Sequence, residues 1–133
     1  MVPENTEVME YYELAGFEEF YLEDSYVLDL SIGLAETRIR LEVVLRENHP
    51  DYAPPREGEQ YCYRQAEIRF LGYTQVTLSN IQDISTTDLD GETDFGNIDI
   101  FRRSGEEYFL SGDWGDLSIR DGEVGISLVE DSR

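Results

Sequence analysis

The residues best suited to hold an ion lie in one stretch, Thr86-Thr87-Asp88-Leu89-Asp90-Gly91-Glu92-Thr93-Asp94. Calcium favours several carboxylates around a glycine turn. With Gly91 at the glycine position of an EF-hand loop, Asp88 and Asp90 fall on ligand positions, and Asp94 adds a further carboxylate. The two ends depart from that pattern. Thr86 stands where Asp is expected, Asn97 stands where a bidentate Glu is expected, and no helical pattern flanks the stretch. Asp88, Asp90 and Asp94 are the candidate metal ligands, and a solvated acidic loop is the alternative.

Material for catalysis is thin. Nucleophilic chemistry needs a base beside the nucleophile, and the chain has one histidine, His49, and one cysteine, Cys62. Cys62 lies between Tyr61 and Tyr63 in a strand-like run, which fits a structural thiol. No serine sits in a glycine-flanked nucleophile elbow, and no glycine loop is built to cradle phosphate. Paired carboxylates would suit glycoside hydrolysis, but among 30 acidic residues chance pairs are inevitable. Zinc would have to be bound by one His, one Cys and carboxylates. The residues therefore point away from an enzyme and imply no cofactor.

Aromatic residues are the second lead. Tyr11, Tyr12, Phe17, Phe20, Tyr21 and Tyr26 cluster among acids, and Tyr52, Tyr61 and Tyr63 surround a long polar loop over 47–60. Rings supply packing at interfaces, while carboxylates steer and accept from Arg or Lys. Tyr52, Tyr61, Tyr63 and Trp114 are the candidate partner-binding residues. For Phe20 and Tyr26 the core is the expected location. Trp114, between two predicted strands, would alternatively cap one end of the core with its indole N–H hydrogen-bonded.

Charge narrows the partner. The chain carries 30 Asp plus Glu against 10 basic residues, all arginine, for a net charge of −20. Nucleic acid and anionic membranes are polyanions and are disfavoured as partners. A basic protein is the natural complement. A mimic of nucleic acid, occupying a groove built for phosphates, is a second reading, and a small-ligand or calcium-binding β domain a third. Solubility, a salt-rich cytoplasm or an arginine-biased genome would produce the same composition. The first residues, Met1-Val2-Pro3-Glu4-Asn5, combine no basic region with an apolar stretch, so a cytoplasmic protein is expected.

These residues need elements to position them. The 133 residues fit a single domain spanning 1–133. Residues 4–15 read as a helix, capped at Asn5 or Thr6, with Val8, Tyr11, Tyr12 and Ala15 on one face and Gly16 as its stop. Residues 17–24 fit a turn or the start of a strand. From Ser25 the period becomes two: Tyr26, Leu28, Leu30, Ile32 and Leu34 alternate with Val27, Asp29, Ser31 and Gly33, then Ile39, Leu41, Val43 and Leu45 alternate with Arg38, Arg40, Glu42, Val44 and Arg46. Two long strands joined by a short turn follow, with Arg and Glu placed to pair across their polar face.

Further strands are expected at about 61–72, with Cys62, Ala66, Ile68 and Phe70 inward, and at about 73–79. After a polar segment over 80–94, strands return at about 95–102, 106–112, 116–120 and 123–129, separated by turns such as Ser104-Gly105 and Asp121-Gly122. The expected fold is mainly β (α+β): an antiparallel β-sandwich or open barrel of about eight strands with one N-terminal helix. Two strand groups flanking 80–94 would form two sheets. Exposed strand edges leave dimerisation open.

Three segments carry a resemblance: Leu22-Glu23-Asp24-Ser25-Tyr26-Val27, Ala66-Glu67-Ile68-Arg69-Phe70-Leu71-Gly72 and Tyr108-Phe109-Leu110-Ser111-Gly112-Asp113-Trp114-Gly115. Their order resembles small β-rich bacterial proteins of uncharacterised families, some associated with toxin-immunity gene clusters. Those families often carry a His before the Asp-Ser pair, where this chain has Glu23. The resemblance implies a non-catalytic protein, immunity- or inhibitor-like, that acts by binding another.

Overall fold

A computed structural model describes residues 8–54, 57, 62–80, 86–87, 93–94 and 96–129, with only the backbone described at 86–87 and 93–94. Eleven strands are described: β1 (Val8–Glu10), β2 (Phe20–Ile32), β3 (Glu36–Leu45), β4 (Tyr63–Leu71), β5 (Gln75–Ser79), β6 (Thr86–Thr87), β7 (Thr93–Asp94), β8 (Ile98–Ser104), β9 (Glu107–Gly112), β10 (Gly115–Arg120) and β11 (Glu123–Leu128). They make two main antiparallel sheets. One has the order β1-β8-β9-β10-β5 and the other β11-β4-β3-β2, while β6 and β7 pair as a small ribbon. The mainly β, antiparallel expectation holds.

Alternation positions most of the core. On β3, Ile39, Leu41, Val43 and Leu45 are buried; on β4, Ala66, Ile68 and Phe70 are buried, with Cys62 just before them. The first sheet contributes Ile98, Phe101, Tyr108, Leu110, Leu117 and Ile119 to the same apolar cluster. Phe70 joins the two sheets, its ring 6.1 Å from Phe101 and 5.5 Å from Tyr108.

The expected N-terminal helix is absent. Val8–Glu10 is a strand pairing with Ser104, Arg103 and Arg102 of β8, and Tyr11–Glu13 forms a single 3-10 turn. The physical reason is a period of three rather than 3.6. Backbone bonds run from Leu14 N–H to Tyr11 O, from Phe17 N–H to Leu14 O and from Phe20 N–H to Phe17 O. Each turn returns an apolar residue to the interior, so Tyr11, Leu14, Phe17 and Phe20 are all buried. Tyr12 and Ala15, placed inward by the helical reading, are exposed. A short helix is marginal in water, and aromatic residues favour it weakly, so packing wins.

A second correction concerns β2. Before residue 28 it is Ser25 and Val27 that are buried, and Tyr26 is exposed. Val27 pairs with Leu41 but Asp29 pairs with Arg40, so one extra residue shifts the phase. Leu30 then packs toward the core, while Ile32 and Leu34 end up exposed at the hairpin tip. A larger irregularity precedes it: Tyr21 is opposite Val44 and Tyr26 opposite Glu42. There β2 turns toward the other sheet, with Val27 N–H donating to Gly96 O at 2.8 Å and the Asn97 side-chain amide donating to Glu23 O at 3.1 Å.

The two sheets are also not the two strand groups flanking 80–94. β5 follows β4 in the chain yet pairs with β10, and β11 follows β10 yet pairs with β4. Both crossings happen at one corner. Gly72 and Gly122 adopt φ of +72° and +86°, and a Cβ on Gly122 would lie 2.3 Å from Leu71 O. Thr74 ties the crossings together, its N–H donating to Arg120 O and its hydroxyl to Asp121.

Candidate interaction surface

The outer face of the β11-β4-β3-β2 sheet has two parts. Along β3 and β4, Arg38 and Arg69 both reach Glu36, at 3.1 and 2.8 Å, and Arg40 and Arg69 reach Glu67 at 3.7 and 3.8 Å. Arg69 with Glu36 and Arg40 with Glu67 are the expected cross-strand pairing, and the other two pairs run along one strand. Hydrogen bonding from Arg69 holds the Glu36 carboxyl below its ordinary range and raises the Arg69 guanidinium correspondingly. A further pair, Arg102 with Glu10 at 2.9 Å, ties β1 to β8. Much of the described positive charge is thus neutralised within the sheets.

Toward the 46–54 loop the same face becomes aromatic. Tyr21, Val44 and Tyr63 lie side by side across β2, β3 and β4, with Val44 buried between the tyrosines. Tyr26 stands in the next row, 42% exposed, its ring 6.2 Å from that of Tyr63. The Arg46 guanidinium lies 5.2 Å from the Tyr21 ring centre, a cation–π distance. Arg46 also anchors the loop, its backbone N–H donating to Glu19 O and its Nε to Phe20 O. Two successive turns, His49 N–H to Arg46 O and Tyr52 N–H to His49 O, then curl the loop back. His49 packs edge-on against Phe20 at 5.0 Å and accepts a hydrogen bond at Nδ1 from Asp51 N–H.

The 11–24 segment borders this region. Tyr11 is its internal pin: its hydroxyl donates to Glu23 and accepts from Leu22 N–H. Burial and the Glu23 hydrogen bond push the Tyr11 phenol up to about 12. Beside it, Tyr12 is 46% exposed and stacks edge-on against Tyr11 at 5.3 Å. Glu13, Glu18, Glu19 and Asp24 decorate the segment and form no ion pair among the described residues. Exposed Glu47 and Asp51 add to them from the loop.

The four aromatic candidates therefore separate. Tyr63 is half-buried on the aromatic face, with Tyr26 beside it, and Tyr52 is half-buried where the loop packs on the core. Trp114 is 6% exposed and its indole N–H donates to Asn97 O at 3.2 Å, the core-capping arrangement. Tyr61 lies outside the described residues. So do Asp88 and Asp90 of the candidate calcium loop, and of Asp94 only the backbone is described, in β7. Among the described residues no three His, Cys, Asp or Glu gather as metal ligands. Cys62 is buried in the core.

Tyr12 was missed from the sequence as a surface residue. The apolar spacing 11, 14, 17, 20 is the signal that would have excluded it from the interior. Comparison with protein-family models, with curated proteins and with solved structures finds no match to this chain.

Proposed function

We propose that this protein is a non-catalytic binding module, immunity- or inhibitor-like, that engages a basic protein partner. Its two sheets are read as the layers of a β-sandwich, and its setting as the cytoplasm; among the described residues no helix is long and apolar enough to cross a membrane. The contact surface is the aromatic and acidic end around the start of β2: Tyr12, Tyr21, Tyr26 and Tyr63, with Glu13, Glu18, Glu19 and Asp24. The observation that carries the reading is a segregation of charge. Arg38, Arg40 and Arg69 are tied to Glu36 and Glu67, whereas Glu13, Glu18, Glu19 and Asp24 make no ion pair among the described residues, the nearby Arg46 being engaged by the Tyr21 ring and by Phe20 O. Exposed rings among uncompensated carboxylates suit a surface that supplies Arg or Lys. A nucleic-acid mimic is less favoured, because the arginines interrupt any phosphate-like row of acids on the sheet face.

The test is capture from source-cell lysate at low salt, elution by a salt gradient and identification by mass spectrometry. One stoichiometric basic protein is expected, released at moderate salt. Retention should fall with Glu18→Gln/Glu19→Gln, through slower association, and with Tyr26→Ala, by about 1 kcal/mol or more. A smear of cationic proteins unaffected by these substitutions would refute the reading.

A further inference from the structure

The β11 edge carries an inference of its own, independent of the acidic surface. β11 is the terminal strand of its sheet, bonded on one side to β4. Val129 N–H donates to Gln65 O, and residues 129 and 65 continue the register that pairs Leu128 with Ala66. Hydrogen-bonded pairs alternate in an antiparallel ladder. Residues 123, 125 and 127 therefore spend their backbone groups on β4. Val124, Ile126 and Leu128 aim theirs at the outer edge, where no strand is paired among the described residues.

Such an edge is normally guarded by lysine, proline, a bulge or extreme shortness. β11 has none of these: it is six residues long, regular in register, and reads Glu-Val-Gly-Ile-Ser-Leu. In a chain with 30 acids it holds one charge, Glu123. Its inward side chains, Val124, Ile126 and Leu128, are half-buried against the core rather than fully covered. Its outward positions include Gly125 and Ser127, and a Cβ built on Gly125 meets nothing within 4 Å.

We propose that β11 pairs antiparallel with β11 of a second copy, about a two-fold axis at Ile126, joining two four-stranded sheets into one. The sequence is self-complementary in this register. Ile126 faces Ile126 of the second copy, and Val124 faces its Leu128, so all the outward backbone groups of these residues are satisfied and every inward contact is aliphatic. On the outer face Gly125 meets Ser127 of the second copy, small against small. Glu123 meets Val129 of the second copy, so no like charges are directly opposed within residues 123–129. A register shifted by one residue would oppose backbone groups already used by β4, and would flip the aliphatic row. A second copy is favoured over an unrelated strand because the edge complements itself and lacks the local charge that a basic strand would read.

The whole chain opposes this pairing through its net charge of −20, so the dimer strengthens as salt rises. That is opposite to the salt response expected of a complex with a basic partner, which separates the failure of one reading from the failure of the other. Sedimentation velocity across protein concentration, at low and high salt, is the measurement. A monomer–dimer equilibrium shifted toward dimer by salt is expected, weakened about tenfold by Ser127→Glu. The double variant Gly125→Cys/Ser127→Cys should form a covalent dimer under mild oxidation, because each new thiol faces one of the second copy. Circular dichroism of both variants confirms folding, and the cross-link keeps the register testable should Ser127→Glu not fold. A chain monomeric under all conditions, or a dimer that neither cross-links nor responds to Ser127→Glu, overturns the proposal. So does amide protection at Val124, Ile126 and Leu128 that appears only with a basic partner and never with protein concentration.

Discussion

Tyr11 shows how one hydroxyl holds a segment in place. It donates to Glu23 and accepts from Leu22 N–H, joining the first turn of the chain to the entry of β2. Tyr11→Phe keeps the ring but leaves a buried N–H without its acceptor, and should cost about 1–3 kcal/mol in denaturant unfolding. The same group sets an alkaline limit. Its folded value of about 12 lies above its ordinary 10.0, so its contribution is complete below pH 10 and is lost as pH rises through 10 toward 12. Unfolding free energy measured from pH 9 to pH 12 should fall less steeply in Tyr11→Phe. Glu36 acts at the other end of the scale. Arg69 lowers its folded value below the ordinary 4.5, so its contribution is present above that value and is lost as pH falls through the folded one. Glu36→Gln should flatten the acid limb of the stability profile.

At the level of elements, the corner where the chain changes sheets is tightly constrained. Gly122 combines positive φ with a backbone oxygen 2.3 Å from any added Cβ. Gly122→Ala should destabilise by about 2 kcal/mol or more, read as a lower denaturation midpoint at unchanged slope. The β2–β3 hairpin is braced from this corner by Tyr73, whose hydroxyl donates to Gly33 O and accepts from the buried Thr37 hydroxyl. Tyr73→Phe should speed hydrogen exchange near residues 33–37 while leaving the centre of β4 protected. The fully exposed Leu34 at the tip is held by backbone bonding rather than by burial.

For the whole molecule, charge and topology act in opposite directions. Sheets that exchange their last strands are joined at β4–β5 and again at β10–β11, which couples them into one unfolding unit. A net charge of −20 works against that compactness. The melting temperature should rise as sodium chloride goes from about 10 mM to about 150 mM, over which the screening length falls from about 30 to about 8 Å. Scanning calorimetry at the two salts checks it; an unchanged midpoint would mean that the acids are spaced widely enough not to interact.

Alternation with period two is a local property, and the sequence by itself determined most of the strands (β3 to β5, β8 to β11 and the later part of β2), the buried faces of β3 and β4, and the Arg–Glu pairing between them. It also determined the net charge of −20, because charge is additive and independent of fold. Only tertiary structure decided the rest. Two irregularities inverted the face of β2 between them, putting Ser25 and Val27 inward and Tyr26 on the surface beside Tyr63, a shift no periodicity within one strand records. Over the described part of residues 4–15, pairing with β8 and three successive i to i+3 turns overrode the helical reading and buried Tyr11, Leu14, Phe17 and Phe20. Which sheet receives β5 and β11 depends on partners far along the chain. A strand's edge bonds to whatever backbone the corner presents, so the β11 edge, unpaired among the described residues, became visible only once β4 had taken its other side.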